Sequence, residues 1–227
     1  MNRPFTIAAL LALLTPLATG AQPAANADAR WAPWLGCWRA VDDVASTGAR
    51  ICVSPAPGGV TLTTVLGGQR VSEETRIADG QPHAVEADGC AGRETGQWSA
   101  DARRLYRTAT IACGGAAART LKTAAFFVAG PLWIDVETVD DGTTTHVRVS
   151  RLTPAAGVTL ADGTTIGAPA RTAAADRLTR WTVESVIDLS TALPPDGVQA
   201  AIAEAPAPFA LNAPALEALA AAGVGTA

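Results

Sequence analysis

Turn signals punctuate this chain at short intervals from Leu35 to Leu152, among them Gly67-Gly68, Asp79-Gly80 and Asp141-Gly142. The segments between them are rich in Val, Ile, Thr and aromatic residues, which is the composition of β-strands. This pattern predicts an all-β fold, an antiparallel up-and-down barrel of eight to nine short strands followed by a small α-helical tail. The predicted strands are 35–42, 50–56, 59–66, 69–78, 90–99, 104–113, 119–129, 132–139 and 144–152.

The Gly67-Gly68 hairpin predicts one unusual inward side chain. If these glycines form a two-residue loop, Glu73 shares an inner, apolar face with Val60 and Leu62. A carboxylate on such a face must be paired, protonated or in contact with a ligand. Arg107 is a candidate partner because it shares a face with apolar residues of its strand. We therefore expect a structural ion pair first, take Glu73 and Arg107 as candidate ligand-binding residues second, and keep a wrong hairpin register as the remaining alternative.

The Asp141-Gly142 hairpin predicts the faces of the last two strands. With a two-residue loop, Ile134 and Val136 lie on one face opposite valines of the following strand. We expect this apolar face to point inward. Asp135 and Arg148 then share the other face, which we expect to point to solvent.

The N-terminus has the sequence pattern of a secretory signal peptide. Arg3 precedes an apolar run from Ile7 to Leu17, and small residues follow up to Ala21. The run is too short to cross a bilayer, which needs about 20 apolar residues. We predict a signal peptide over 1–21, a linker over 22–30, no membrane span in the mature chain, and a periplasmic or secreted protein.

Export predicts disulfides among the four cysteines. Opposed residues of an antiparallel hairpin come within disulfide reach. A hairpin centred between Asp101 and Ala102 opposes Cys90 and Cys113, and one centred near Ala45 opposes Cys37 and Cys52. We therefore predict the pairs Cys37–Cys52 and Cys90–Cys113. The hairpin near Ala45 also opposes Trp38 and Ile51, and we expect both on the inner face. This places the Cys37–Cys52 bridge on the outer face.

The sequence Gly36-Cys37-Trp38-Arg39 resembles the GxW motif of lipocalins and related calycin barrels, and the resemblance covers residues 31–152. In that family the Trp closes one end of the barrel, and a basic residue near the last strand packs over it. The resemblance implies this role, with ligand contact, for Trp38. Arg148 and Arg151 are the candidates for the basic residue, and we favour Arg151 because it shares the face of Val147 and Val149. Trp31 and Trp34 are expected to cap the same end.

Composition and motifs exclude several functions. Lys and Arg number 17 against 21 Asp and Glu, for a net charge of −4, whereas nucleic-acid binding needs a basic surface. The two histidines fall on predicted outer or turn positions, and the chain has no HExxH, GxSxG or phosphate-binding glycine loop. We expect no enzymatic activity, no metal and no cofactor.

After the barrel domain, 31–152, the pattern predicts a linker over 153–180 and a module of short helices over 181–227. Thr182 and Asn212 are predicted helix caps, and the end of the chain favours a truncated module over a frayed natural terminus. Two functions follow as expectations. One is an exported barrel that binds a small apolar or amphipathic ligand. The alternative is a non-catalytic envelope module with a filled barrel, whose helical tail recruits a protein partner.

Overall fold

The structure is a computed structural model that describes residues 28–42, 48–87, 89–128, 131–167, 178–206 and 211–224. The predicted signal peptide and most of the linker after it therefore lie outside the described residues. Ten strands form one antiparallel sheet. They are β1 Gly36–Ala40, β2 Arg50–Ala56, β3 Gly59–Leu66, β4 Gln69–Ile77, β5 Pro82–Ala87, β6 Cys90–Trp98, β7 Arg104–Cys113, β8 Arg119–Val128, β9 Leu132–Asp140 and β10 Thr145–Ala155.

The strand order is β4-β3-β2-β1-β10-β9-β8-β7-β6-β5. Strands that follow one another in the chain are neighbours in the sheet, except β4 and β5, which form its two edges. The prediction of an up-and-down antiparallel β fold with a helical tail is confirmed. All nine predicted strands are present, and β5 is the tenth. Its polar sequence and its leading proline gave no strand signal, although proline is accepted at the first position of an edge strand.

The barrel is not closed, because β4 and β5 occupy opposite edges and share no ladder in the described sheet. The end of β4 nevertheless approaches β6. The Gly80 amide donates to the Gly96 carbonyl at 2.9 Å. A Cβ on Gly96 would lie 2.3 Å from the carbonyl oxygen of Ile77, so only glycine permits this approach. We call the gap between β4 and the β5–β6 hairpin the seam.

Tryptophans fill the interior of the curled sheet. A 3₁₀ helix, Ala29–Trp34, carries Trp31 and Trp34 into this inner core, where they are 3% and 2% exposed. Trp38 is completely buried, and its indole N–H donates to the carbonyl of Trp34 at 2.7 Å. Phe127 and Trp133 pack against it at ring-centroid distances of 5.6 and 5.5 Å. The predicted inward position of Trp38 is confirmed.

The tail covers the other face of the sheet with three helices: α1 Val183–Ala192, α2 Pro195–Ala203 and α3 Ala213–Ala221. Thr182 and Asn212 cap α1 and α3 as predicted. None of the helices in the described part of the chain is long and apolar enough to cross a membrane. Beneath the tail lies an outer core of fully buried side chains, which includes Phe126, Ile134, Val136 and Leu189.

The inward orientation predicted for Ile134 and Val136 is therefore wrong. These side chains face the helices, and their neighbours Trp133 and Asp135 face the interior. Alternation separates two faces but does not say which one is inside. Here the helical tail buries the apolar face, so the face with a charge is the one that lines the barrel.

Both predicted disulfides are confirmed. Cys37–Cys52 lies on the outer face, behind Trp38, as expected. A two-stranded hairpin, β11 Val158–Thr159 and β12 Thr165–Ile166, covers it, so Cys37 and Cys52 are only 0% and 3% exposed. This hairpin falls within the segment predicted to be a linker.

Candidate functional site

The predicted inner-face position of Glu73 is wrong because β4 contains a bulge. Val65 pairs with Arg70, but Thr64 pairs with Ser72, so Val71 is an extra residue in the ladder. Every later side chain of β4 consequently changes face. Glu73 is 48% exposed and forms a surface ion pair with Arg70 at 2.5 Å.

The same bulge turns Arg76 inward. There Arg76 and Arg107 share one interior carboxylate, which is the kind of partner that was predicted for Arg107. The carboxylate of Glu94 accepts hydrogen bonds from Arg107 at 2.7 Å and from Arg76 at 3.1 Å. Its side chain is only 8% exposed. Arg76 also pairs with Glu74. Arg107 is thus inside and paired as expected, but its partner is Glu94 and not Glu73.

The Glu94 cluster has a mechanical role in the barrel. Arg76 lies on β4, Glu94 on β6 and Arg107 on β7, so the cluster spans the seam. Charge-assisted hydrogen bonds to one carboxylate are stronger than neutral ones. We conclude that this cluster holds together two parts of the sheet that have no strand ladder between them.

Asp135 is a second interior carboxylate, and it contrasts with Glu94. It lines the interior cavity with Arg76 and Arg107, yet it makes no hydrogen bond or ion pair with the described residues. Burial raises the pKa of Asp135 to about 6, against the lowering influence of Arg107. Near neutral pH this side chain therefore sits close to its titration point, which is unusual for an aspartate.

The interior cavity is small. It measures about 30 Å³, and its walls include Trp31, Trp34, Trp133 and Asp135. A water molecule needs about 10–15 Å³ on this measure, whereas pockets for organic ligands are typically about 300–1,000 Å³. The cavity therefore has room for one or two water molecules.

Two features implied by the lipocalin resemblance have different outcomes. Trp38 does plug the interior, but it is fully buried and offers no surface to a ligand. Arg151 does not pack over it. Its guanidinium forms an ion pair with Glu204, beside α2. Arg148 is also exposed. Aromatic side chains occupy the position over Trp38 where the family has a basic residue.

A buried polar contact fastens the tail to the sheet. The hydroxyl of Tyr106 donates to Asp188 of α1 at 2.7 Å, and Arg104, only 3% exposed, donates to both. Burial raises the pKa of Tyr106, so its hydroxyl keeps the proton that it donates. The close packing continues at Gly197 of α2, where a Cβ would lie 2.7 Å from the methyl group of Thr138.

The helical tail contains a much larger cavity than the barrel does. It is an open groove of about 500 Å³ between the end of α1, α2 and the end of α3. We call it the tail groove, and its apolar wall consists of Leu193, Pro194, Val198, Ile202 and Val224. Sequence patterns predicted the helices but not the groove, because it exists only where three short helices meet.

The described residues contain no cluster of three or more His, Cys, Asp or Glu side chains suited to a metal ion. His83 contacts Asp79 in an exposed turn, and His146 contacts Thr144. A scan against protein-family models and a search of curated proteins found no match to this chain. Its function must therefore be inferred from its residues and their geometry.

Proposed function

We propose that the protein is an exported, non-catalytic interaction module, in which the open barrel is a filled scaffold and the helical tail binds a protein partner. The observation that carries this proposal is the difference in volume between the barrel cavity and the tail groove. The barrel interior offers about 30 Å³, and the tail groove offers about 500 Å³. Large, well-formed apolar pockets are the usual binding sites of proteins.

The other function expected from the sequence, a small apolar ligand inside the barrel, has less support. Such a ligand would have to displace part of the tryptophan cluster, and three of its members are at most 3% exposed. Close-packed interiors resist such displacement. Small barrels are commonly filled by their own side chains.

Two observations support an extracytoplasmic location. The chain contains two disulfides, which persist in oxidising compartments. Its first 21 residues have the pattern of a signal peptide. The up-and-down strand order and the interior GxW tryptophan, Trp38, support kinship with lipocalin-like barrels, and we extend the proposal to a member of that group without a ligand cavity.

The proposal is tested by filling the groove. Gln199 lines the groove and is exposed, so Gln199→Trp adds an indole there without disturbing a core. Gln97→Trp, at another exposed glutamine, on β6, is the matched control. Each purified protein is cross-linked in an envelope extract of its host, and the captured proteins are identified by mass spectrometry.

We expect a defined partner to be captured by the unmodified chain and by Gln97→Trp, and to be lost with Gln199→Trp. Thermal unfolding shows that both variants are folded. The proposal is overturned if Gln199→Trp captures the same proteins as the control. Native mass spectrometry that finds a small molecule bound stoichiometrically inside the barrel would favour the ligand-binding function instead.

A further inference from the structure

The helical tail carries charge of only one sign. Residues 181–227 contain no Lys, Arg or His, and their acidic residues are Glu184, Asp188, Asp196, Glu204 and Glu217. Arginines of the sheet neutralise two of these, because Asp188 pairs with Arg104 and Glu204 with Arg151. The remaining three are exposed and have no ion pair with described residues. Asp196 lies in the wall of the tail groove.

Helix ends add to the negative potential of the groove. Leu193, the C-cap of α1, and Gly223 and Val224, just beyond α3, all line it. The last carbonyls of a helix carry partial negative charge, which basic residues in the final turn commonly offset. Neither helix has a basic residue in its last turn. The N-terminus of α2 also lines the groove and carries partial positive charge, with Asp196 in its first turn. Two helix C-termini without basic residues, together with the Asp196 carboxylate, outweigh this one N-terminus, so the groove favours a ligand that is apolar and positively charged.

We propose that the tail groove binds a basic amphipathic segment of the partner protein. A large apolar side chain of that segment packs on the half-buried Pro194, Ile202 and Val224, and an adjacent Lys or Arg contacts Asp196 and the helix C-termini. Grooves between helices commonly receive amphipathic segments in this way. This inference rests on the proposed function and specifies the chemistry of the partner.

Charge also argues against other occupants. The tail of a second copy of this chain carries the same acidic residues and would be repelled. An anionic membrane surface would be repelled for the same reason. A basic peptide gains both the apolar contact and the charge complementarity.

The test measures peptide binding to the full mature chain by fluorescence anisotropy. The probes are a labelled amphipathic peptide of Leu and Lys, and a counterpart of equal length with Glu in place of Lys. We expect the Lys peptide to bind at least about tenfold more tightly than the Glu peptide, with a gap that narrows as salt rises. We expect Asp196→Asn to weaken the Lys peptide by about three- to fivefold, as for an exposed ion pair.

Two further variants distinguish the groove from general attraction to an acidic protein. Gln199→Trp should abolish binding of the Lys peptide. Glu184→Gln removes an exposed charge at the opposite end of α1 and should leave binding unchanged. Equal binding of the two peptides, no binding of either, or equal losses with Asp196→Asn and Glu184→Gln would overturn this inference. The proposed function would survive those results if Gln199→Trp still abolished capture of the natural partner.

Discussion

The unpartnered carboxylate of Asp135 makes a sharp prediction about stability and pH. Its pKa is about 6 in the folded protein, whereas an aspartate in an unfolded chain titrates near 3.9. Between these values the folded state holds a proton that the unfolded state releases, so stability falls as pH rises. The contribution is complete below pH 4 and lost above pH 6. One pKa unit corresponds to about 1.4 kcal/mol, so the loss amounts to about 3 kcal/mol.

Asn has the shape of a protonated Asp and cannot ionise. We therefore expect Asp135→Asn to be more stable than the unmodified protein at pH 8, by up to about 3 kcal/mol, and to differ little at pH 4. Urea unfolding followed by tryptophan fluorescence at both pH values measures this difference. Asp140→Asn, at an exposed position of the same strand, is the control for the substitution itself.

Two results would refute this reasoning. If Asp135→Asn changed stability equally at both pH values, the carboxylate would not be titrating between them. If the variant were less stable at pH 8, the ionised carboxylate would be a useful partner of Arg76 and Arg107 rather than a buried cost. In either case the interior would have to be better solvated than a cavity of about 30 Å³ allows.

Three further predictions concern the elements that hold the fold together. Glu94→Gln leaves two largely buried arginines without their shared carboxylate and should cost about 3–5 kcal/mol in urea unfolding, against less than about 1 kcal/mol for the exposed control Glu73→Gln. Asp188→Asn weakens the contact of α1 with the sheet and should cost about 1–3 kcal/mol, measured in the same way, and an unchanged midpoint would contradict that role. In native conditions dithiothreitol should reduce the partly exposed Cys90–Cys113 before the covered Cys37–Cys52, and peptide mapping that finds simultaneous reduction would contradict the protection by the β11–β12 hairpin.

Local signals predicted a large part of this fold. The disulfides, nine of ten strands and the caps of α1 and α3 follow from turn residues, hairpin geometry and capping chemistry, all of which act over a few residues. The bulge at Val71 has no comparable signal. Because strand parity is all-or-none, this one extra residue moved Glu73 to the surface and brought Arg76 to Glu94.

The features missed by the sequence patterns depend on contacts between distant elements. Asp135 was expected outside because its strand alternates, but alternation reads the same whichever face is covered. The tail groove depends on the angle at which three short helices meet. The cavity near Asp135 depends on how completely tryptophans from three parts of the chain fill the barrel. Periodicity contains none of this information.

The sequence predicted a module of short helices over 181–227, and in the structure these helices share the outer core with the sheet. Removing residues 181–227 would uncover Phe126, Ile134 and Val136, all of which are 0% exposed. Exposure of a large apolar side chain costs about 1.5–3 kcal/mol, so these three alone cost roughly 5–9 kcal/mol. A typical domain has about 5–15 kcal/mol of net stability.

We therefore expect the chain truncated before Trp181 to be unfolded or aggregated, as judged by near-ultraviolet circular dichroism and gel filtration. Truncation after Pro206 is the control. It removes α3, in which Ala215 is the one buried residue among those described, and should leave the sheet folded with a modest loss of stability. If the shorter chain retained a native near-ultraviolet spectrum and a cooperative unfolding transition, the outer core would not be a structural part of the sheet. The tail would then be an independent module after all, and the groove could move relative to the barrel.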